Sequence, residues 1–249
     1  MSTSGIIQGL KENRCPSDDE IRWILQYRET VIGPLLDILE ETARWTSLPK
    51  GRPDAPMHAI FLLAALEAPK AWEPLETILR KDFDGFVDGF FGDIVTECLP
   101  WAIARIAKEQ TGALIRLAED TGLNTWMRNC GLRALATQAF LWPDKKKRVL
   151  RCFRRWLESA HLDPGPGWAT HLAMSLADLG GPEELHEEIH DLFEQGLVEP
   201  FVIAEEDVYG FPKTYEAQRT IFDIYRCYAW MIAWQDPKIG GQRRRRLTT

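Results

Sequence analysis

Two distant stretches of this chain follow one plan. "HAIFLLAALEAPKAWEPLETILR" (58–80) and "ATHLAMSLADLGGPEELHEEIHDLF" (169–193) each run a helix of small residues and leucines into a tight turn. A proline and a second amphipathic helix follow. Leu66 to Pro69 ("LEAP") and Leu179 to Pro182 ("LGGP") hold the same place in each, and two further helix-turn-helix stretches, 97–120 and 129–159, lie between them. A repeat of roughly 30 to 40 residues built from helix pairs limits the fold severely, because a lone pair cannot bury its apolar face and must stack on its neighbours. Ala64, Ala65, Ala102, Ala104, Ala134, Ala136, Ala173 and Ala177 let successive first helices approach closely, while Leu75, Ile115 and Leu192 fill a second layer. No alternating β-branched runs occur with Asn-Gly or Asp-Gly hairpin turns between them. The pattern predicts an all-α fold: a HEAT-like α-α superhelix, right-handed, of about five helix pairs.

Upstream of the repeats, "PSDDEIRWILQYRE" places Ser17 as an N-cap before a first turn of acids, with Ile21, Ile24 and Leu25 at helical spacing. "GPLLDILEETARW" predicts a helix with Pro34 in its first turn, and "SLPKGRPDAP" breaks the pattern with three prolines and a glycine. The expected organisation is a disordered N-terminus (1–16), a repeat domain (17–212), an aromatic capping helix (213–236) and a disordered basic tail (237–249).

At 249 residues, of which 45% are hydrophobic, the chain can bury a substantial core. A net charge of -7 argues against a general nucleic-acid binder, since neutralising phosphates takes surplus Lys and Arg. No basic segment followed by an apolar run opens the chain, and "AIFLLAALEA" falls well short of the ~20 apolar residues of a spanning helix. No membrane association is expected. Cys15, Cys98, Cys130, Cys152 and Cys227 are scattered and form no C-x-x-C pair, so the expectation is free thiols in a reducing, cytoplasmic setting and no thiolate metal site.

"GDIVTECLPWAIARIA" (92–107), followed by "LIRLAED" and later by "FEQGLVEPFVIAEEDV" (193–208), resembles a bacterial family. That family is catalogued as domain of unknown function eleven-eighty-six, and the likeness runs from Asp18 to Val208. It implies a HEAT-like helical fold and carries no assigned activity. Many of its members continue into a cysteine-rich zinc tail, where this chain has an aromatic helix and an arginine run instead.

Four stretches carry chemistry-bearing side chains. His186, Glu187 and His190 spell H-E-x-x-H, which on a helix sets two imidazoles one turn apart with a carboxylate between them. As a zinc site it needs a third ligand, for which Glu205, Glu206 and Asp207 are at hand, and Glu187 would be the general base. Against it, Leu185, Ile189, Leu192 and Phe193 mark this helix as a buried stripe whose shoulder carries the histidines, and Glu188 and Asp191 charge positions that zinc proteases keep apolar. No metal or other cofactor is expected. "KDFDGFVDGFFGDIVTE" interleaves Asp82, Asp84, Asp88, Asp93 and Glu97 with four phenylalanines. Asp93 and Glu97, one turn apart, are the candidate acid pair, although Asp93 also reads as the N-cap of the next helix.

"DKKKRVLRCFRRWLES" places Arg148, Arg151 and Arg155 along one edge, with Lys145, Lys146, Lys147 and Arg154 nearby. Val149, Leu150, Phe153 and Trp156 form the buried face. Such an edge meets phosphate, an acidic partner or the protein's own acids. "YEAQRTIFDIYRCYAWMIAWQ" gathers Phe222, Tyr225, Tyr228, Trp230 and Trp234, so the helix caps the last repeat or pairs with a second copy. The four arginines Arg243–Arg246 suit weak electrostatic docking. No G-x-S-x-G elbow and no phosphate loop occurs.

The expected function is therefore non-catalytic: a protein–protein interaction scaffold with a protein partner, acidic where it meets Arg148, Arg151 and Arg155. A zinc-dependent hydrolase at His186, Glu187 and His190 is the first alternative. A HEAT-like nucleic-acid-binding protein or DNA glycosylase is the second.

Overall fold

A computed structural model describes residues 2–50, 54–81, 85–163 and 167–210. The capping helix, the basic tail and the dimer face expected on residues 213–249 lie outside these, as do Asp82 and Asp84. Among the described residues every regular element is helical. The chain runs through α1 (Thr3–Lys11), α2 (Asp18–Gln26), α3 (Arg28–Ala43), α4 (Ala55–Ala65), α5 (Trp72–Leu79), α6 (Leu99–Ile106), α7 (Thr111–Glu119), α8 (Thr125–Leu141), α9 (Pro143–Glu158), α10 (Trp168–Asp178), α11 (His186–Glu194) and α12 (Glu205–Gly210). No helix among them is long and apolar enough to cross a membrane.

α4, α6, α8, α10 and α12 each touch the next; α7 and α9 pack on α8, α11 packs on α9 and α12, and α3 packs on both α4 and α5. The small residues make this packing possible: Ala64, Ala102, Ala104, Ala134, Ala136, Ala173 and Ala177 are all buried. Gly131 brings α8 almost onto the backbone of α7, since a Cβ there would sit 3.1 Å from the Ala118 nitrogen and 3.3 Å from the Leu114 carbonyl. Thr111 Oγ1 donates to Gln138 Oε1 at 2.7 Å and Gln138 Nε2 donates to the Ala107 carbonyl at 2.6 Å, so a fully buried amide ties the α6–α7 turn to α8.

The two stretches that share a sequence plan also share a backbone turn. After α4, Glu67 has φ 45° and the Ala68 amide reaches back to the Leu63 carbonyl at 3.0 Å. After α10, Gly180 has φ 77° and the Gly181 amide reaches the Leu176 carbonyl, also at 3.0 Å. Both are Schellman-type closures followed by proline and one 3-10 turn, Pro69–Ala71 in the first and Glu183–Leu185 in the second. Glycine takes the left-handed position freely. Glu67 takes it while its carboxylate meets Arg105 at 3.1 Å and Lys108 at 3.6 Å.

Three expectations change. Residues 3–11, expected within a disordered N-terminus, form α1: Ser2 caps it by accepting from the Gly5 amide, and Ile6 and Leu10 are buried in the common core. Arg14 then clasps Glu20 through two 2.7 Å bonds, while Ser17 and Glu20 complete a capping box on α2. The Arg14 guanidinium, ahead of burial, holds the Glu20 carboxyl at about 2. Pro34 sits inside α3 instead of in its first turn, because α3 already begins at Arg28, with only Tyr27 between it and the end of α2 at Gln26. Asp93 does not cap α6. A π-helical turn (Val87–Phe91) and a 3-10 turn (Gly92–Val95) intervene, Asp93 lies in the latter, and α6 starts after Cys98.

Candidate functional site

The H-E-E-I-H stretch opens α11, and its apolar stripe is as the spacing requires: Leu185, Ile189 and Leu192 are buried, Phe193 half-buried. Its histidines point to different neighbours. His186 Nε2 lies 2.9 Å from the Gly181 carbonyl, which can only accept, so this nitrogen carries the proton and is not a ligand atom. The ring also packs edge-on against Tyr209, centroids 4.7 Å apart. His190 Nδ1 pairs with Glu205 Oε1 at 3.0 Å, and that hydrogen bond raises the pKa of the exposed imidazole. Glu205, one of the three acids noted as a third ligand, thus meets one histidine as a charge partner. Asp207 Oδ2 accepts from the Ala204 amide at 3.0 Å at the start of α12, and Glu187 is exposed. Among the described residues no three His, Cys, Asp or Glu side chains converge as a metal would require. Replacing Glu205 by Gln should drop the His190 pKa toward the ordinary value of about 6.5. An NMR pH titration of the imidazole carbon-bound protons reads it, and an unmoved His190 midpoint would refute the pairing.

The Phe-rich stretch is core. Phe86, Phe90 and Phe91 are buried and mutually packed, with centroids 4.7 to 5.8 Å apart. Asp93 is left exposed, while Glu97, four residues on, lies at the mouth of a cleft that Asp93 does not line. The cleft, about 340 Å³, is walled by Thr96, Glu97 and Trp101 at the start of α6 and by Arg133 of α8. Met174, Ala177 and Asp178 at the end of α10, with Val202, Ile203 and Asp207, complete it. Its floor is a buried ion pair: Arg133 Nε donates to Asp178 Oδ2 at 2.7 Å and Nη1 donates to the Thr96 carbonyl.

A second buried pair lies elsewhere along α8. Arg128, with 3% of its side chain exposed, is held by both carboxylate oxygens of Asp163, donates Nε to the Ala118 carbonyl at 3.0 Å and stacks 4.1 Å over the Trp168 ring.

The α9 face divides in two. Val149, Leu150, Phe153 and Trp156 are buried as the spacing requires. On the exposed side, Lys146 pairs with Glu184 at 3.7 Å, Arg154 with Glu188 at 2.6 Å, and Arg155 with Glu119, which also accepts from the Trp156 indole at 3.0 Å. Arg155, a candidate for an external surface, is thereby engaged by α7. Arg148 and Arg151 have no ion pair among the described residues. Arg148 is joined by Arg116: a Cβ on Gly112 would lie 3.3 Å from Arg148 Nη2 and 3.8 Å from Arg116 Nη1. The acid pair and the basic edge therefore lie on different elements. The first lies beside α6 and the second on α9.

Nothing in the cleft is an activated nucleophile. Burial pushes the Cys130 thiol up to about 12, and the Cys15 and Cys152 thiols are raised by the same cause. His58 and His171 are held down to about 4 by burial and do not line the cleft.

Sequence reasoning missed Arg128, Arg133, Asp163, Asp178 and Arg116. The available signal was in α8: Arg128 and Arg133 stand five positions apart in a helix whose only other polar side chains are two threonines, Asn129 and Gln138, so they are expected to be buried and paired.

A family model described as a protein of unknown function (DUF1186) matches residues 1–221, wider at both ends than the span inferred from the motifs. No curated protein and no solved structure matches the chain.

Proposed function

Because the chain belongs to this family of unknown function, we propose its role from the geometry alone: a non-catalytic, HEAT-like scaffold, cytoplasmic, that binds an acidic protein surface along the α7–α9 edge. The observation that carries this reading is the gathering of Arg116 and Arg148 over Gly112, with Arg151 further along α9, and no carboxylate beside them among the described residues. Three other cations of the same helix are matched by the chain's own acids. Like charges brought together without a counter-ion cost a few tenths of a kcal/mol per pair, roughly 0.2–0.5 on a helix surface. A surface that keeps such repulsion has its counter-charge elsewhere, and the protein's net charge of -7 points away from a polyphosphate chain as its source.

Reversing Arg148 and Arg151 to Glu should leave the urea midpoint nearly unchanged, within about 0.5 kcal/mol, because both are exposed. Cross-linking capture of partners from the producing cell should fall about tenfold, the equivalent of ~1.4 kcal/mol. Capture undiminished by the reversal refutes the assignment of this edge. Tight binding of a duplex oligonucleotide with steep salt dependence would put the nucleic-acid alternative in its place.

A further inference from the structure

The basic edge leaves the cleft beside Glu97 unexplained, and the cleft has the opposite chemistry. Of its four charged groups, Arg133 and Asp178 are bound to each other on the floor. Glu97 and Asp207 stand at the sides, and neither has a cation paired to it among the described residues. Asp207 uses one oxygen on the Ala204 amide, which leaves the second available. Trp101, Met174 and Ile203 line the same cleft and give it aromatic and aliphatic walls. Independently of the charges, the loop leading to α12 holds Phe201 and Val202 in water, 85% and 45% exposed, and Val202 is itself part of the cleft wall. A phenylalanine this exposed at the lip of a cleft marks a surface that a partner covers.

We propose that this cleft docks a basic segment of a partner protein: an arginine or lysine side chain enters between Glu97 and Asp207, and a neighbouring apolar residue covers Phe201 and Val202. The volume of about 340 Å³ suits one or two side chains of a peptide segment. The aromatic and thioether walls suit the methylene stem that such a side chain buries while its charged head meets the carboxylates. The Arg133–Asp178 pair keeps the floor neutral, so the field at the mouth is that of Glu97 and Asp207. The occupant is cationic and amphipathic, and differs in sign from whatever meets α9.

The test uses the full chain and a fluorescein-labelled nonapeptide carrying two arginines flanked by leucines, with its citrulline counterpart as the neutral isostere. Anisotropy at physiological salt should show saturable binding, weakened about tenfold by citrulline and about tenfold by Glu97→Gln with Asp207→Asn, since a paired charge at an interface is worth that much or more. Phe201→Ser should weaken it several-fold. Glu40→Gln with Glu41→Gln, which removes the same charge from the exposed side of α3, should change nothing. Arg148→Glu with Arg151→Glu should also bind as the parent does, so loss of the basic-edge reading and loss of this one are separable. Equal weakening by the α3 variant would reduce the effect to net charge and overturn the proposal. Absence of binding overturns it too. So does binding that emerges only after residues 242–249 are removed, which would give the cleft to the chain's own arginines. A thermal melt of each variant confirms that the folded protein is being compared.

Discussion

Asp163→Ala is expected to destabilise the protein by about 3–5 kcal/mol, the usual cost of leaving one member of a buried ion pair without the other. Arg128 is 3% exposed and Asp163 14%, so the substitution strands a guanidinium that is still largely buried. The Ala118 carbonyl and the Trp168 ring remain to it, and neither carries a charge. The measurement is a urea titration followed by circular dichroism, with the slope checked for constancy so that the midpoint reports stability. A companion pair of changes, Arg128→Met with Asp163→Leu, should recover most of the loss, because apolar replacements of similar volume remove the desolvation cost along with the attraction. If the single substitution costs less than ~1 kcal/mol, the pair is a surface contact and its burial is misassigned.

The second large effect is a loss of stability in mild acid. His58 and His171 have folded-state values of about 4, lowered by burial, and among the described residues His171 Nδ1 has no hydrogen-bond partner that would welcome a proton. Arg128 and Arg133 add to the depression at His171. The unfolded chain binds protons at both imidazoles near pH 6.5, so between that value and pH 4 it takes up protons that the folded state refuses. Stability is therefore full above pH 6.5 and falls as the pH drops through the window. Each histidine contributes roughly 2 kcal/mol of loss by pH 5 and ~3 kcal/mol by pH 4. Glu20 works in a lower window, because its folded value of about 2 lies below an ordinary 4.5 and its contribution is lost only as the pH falls past that range. Urea midpoints at pH 7.5 and pH 5 should differ strongly in the parent and much less in His58→Gln with His171→Gln. A slope that survives the double change would place its origin in other groups.

What the sequence showed and what it hid follow from the range of the forces involved. Helix faces are local: Val149, Leu150, Phe153 and Trp156 recur at a spacing that any helix converts into a face, and all four are buried. The "LEAP" and "LGGP" turns were legible as equivalents because a chain reversal is also written within a few residues. α1 was not, since a nine-residue helix owes its existence to Ile6 and Leu10 packing on distant elements and to Arg14 reaching Glu20. The acidic Phe-rich stretch misled in a different way. Its phenylalanines and acids alternate as if on one surface, but across a π-helical turn and Gly92 at φ 54° the rings of Phe86, Phe90 and Phe91 are buried, and Glu97 lines the cleft while Asp93 does not. The cleft has no linear signature at all, because its walls come from α6, α8, α10 and the segment leading into α12.

The two arginines of α8 also bear on the order in which the protein can be made. Both their acids lie downstream, Asp163 beyond α9 and Asp178 at the end of α10. A chain emerging from the ribosome with α8 and α9 complete would have to bury these two guanidinium groups before the carboxylates that pair with them in the folded protein, so the packing around α8 is completed only once Asp178 has been synthesised. That packing is therefore completed only with α10, and α8, α9 and α10 become native together.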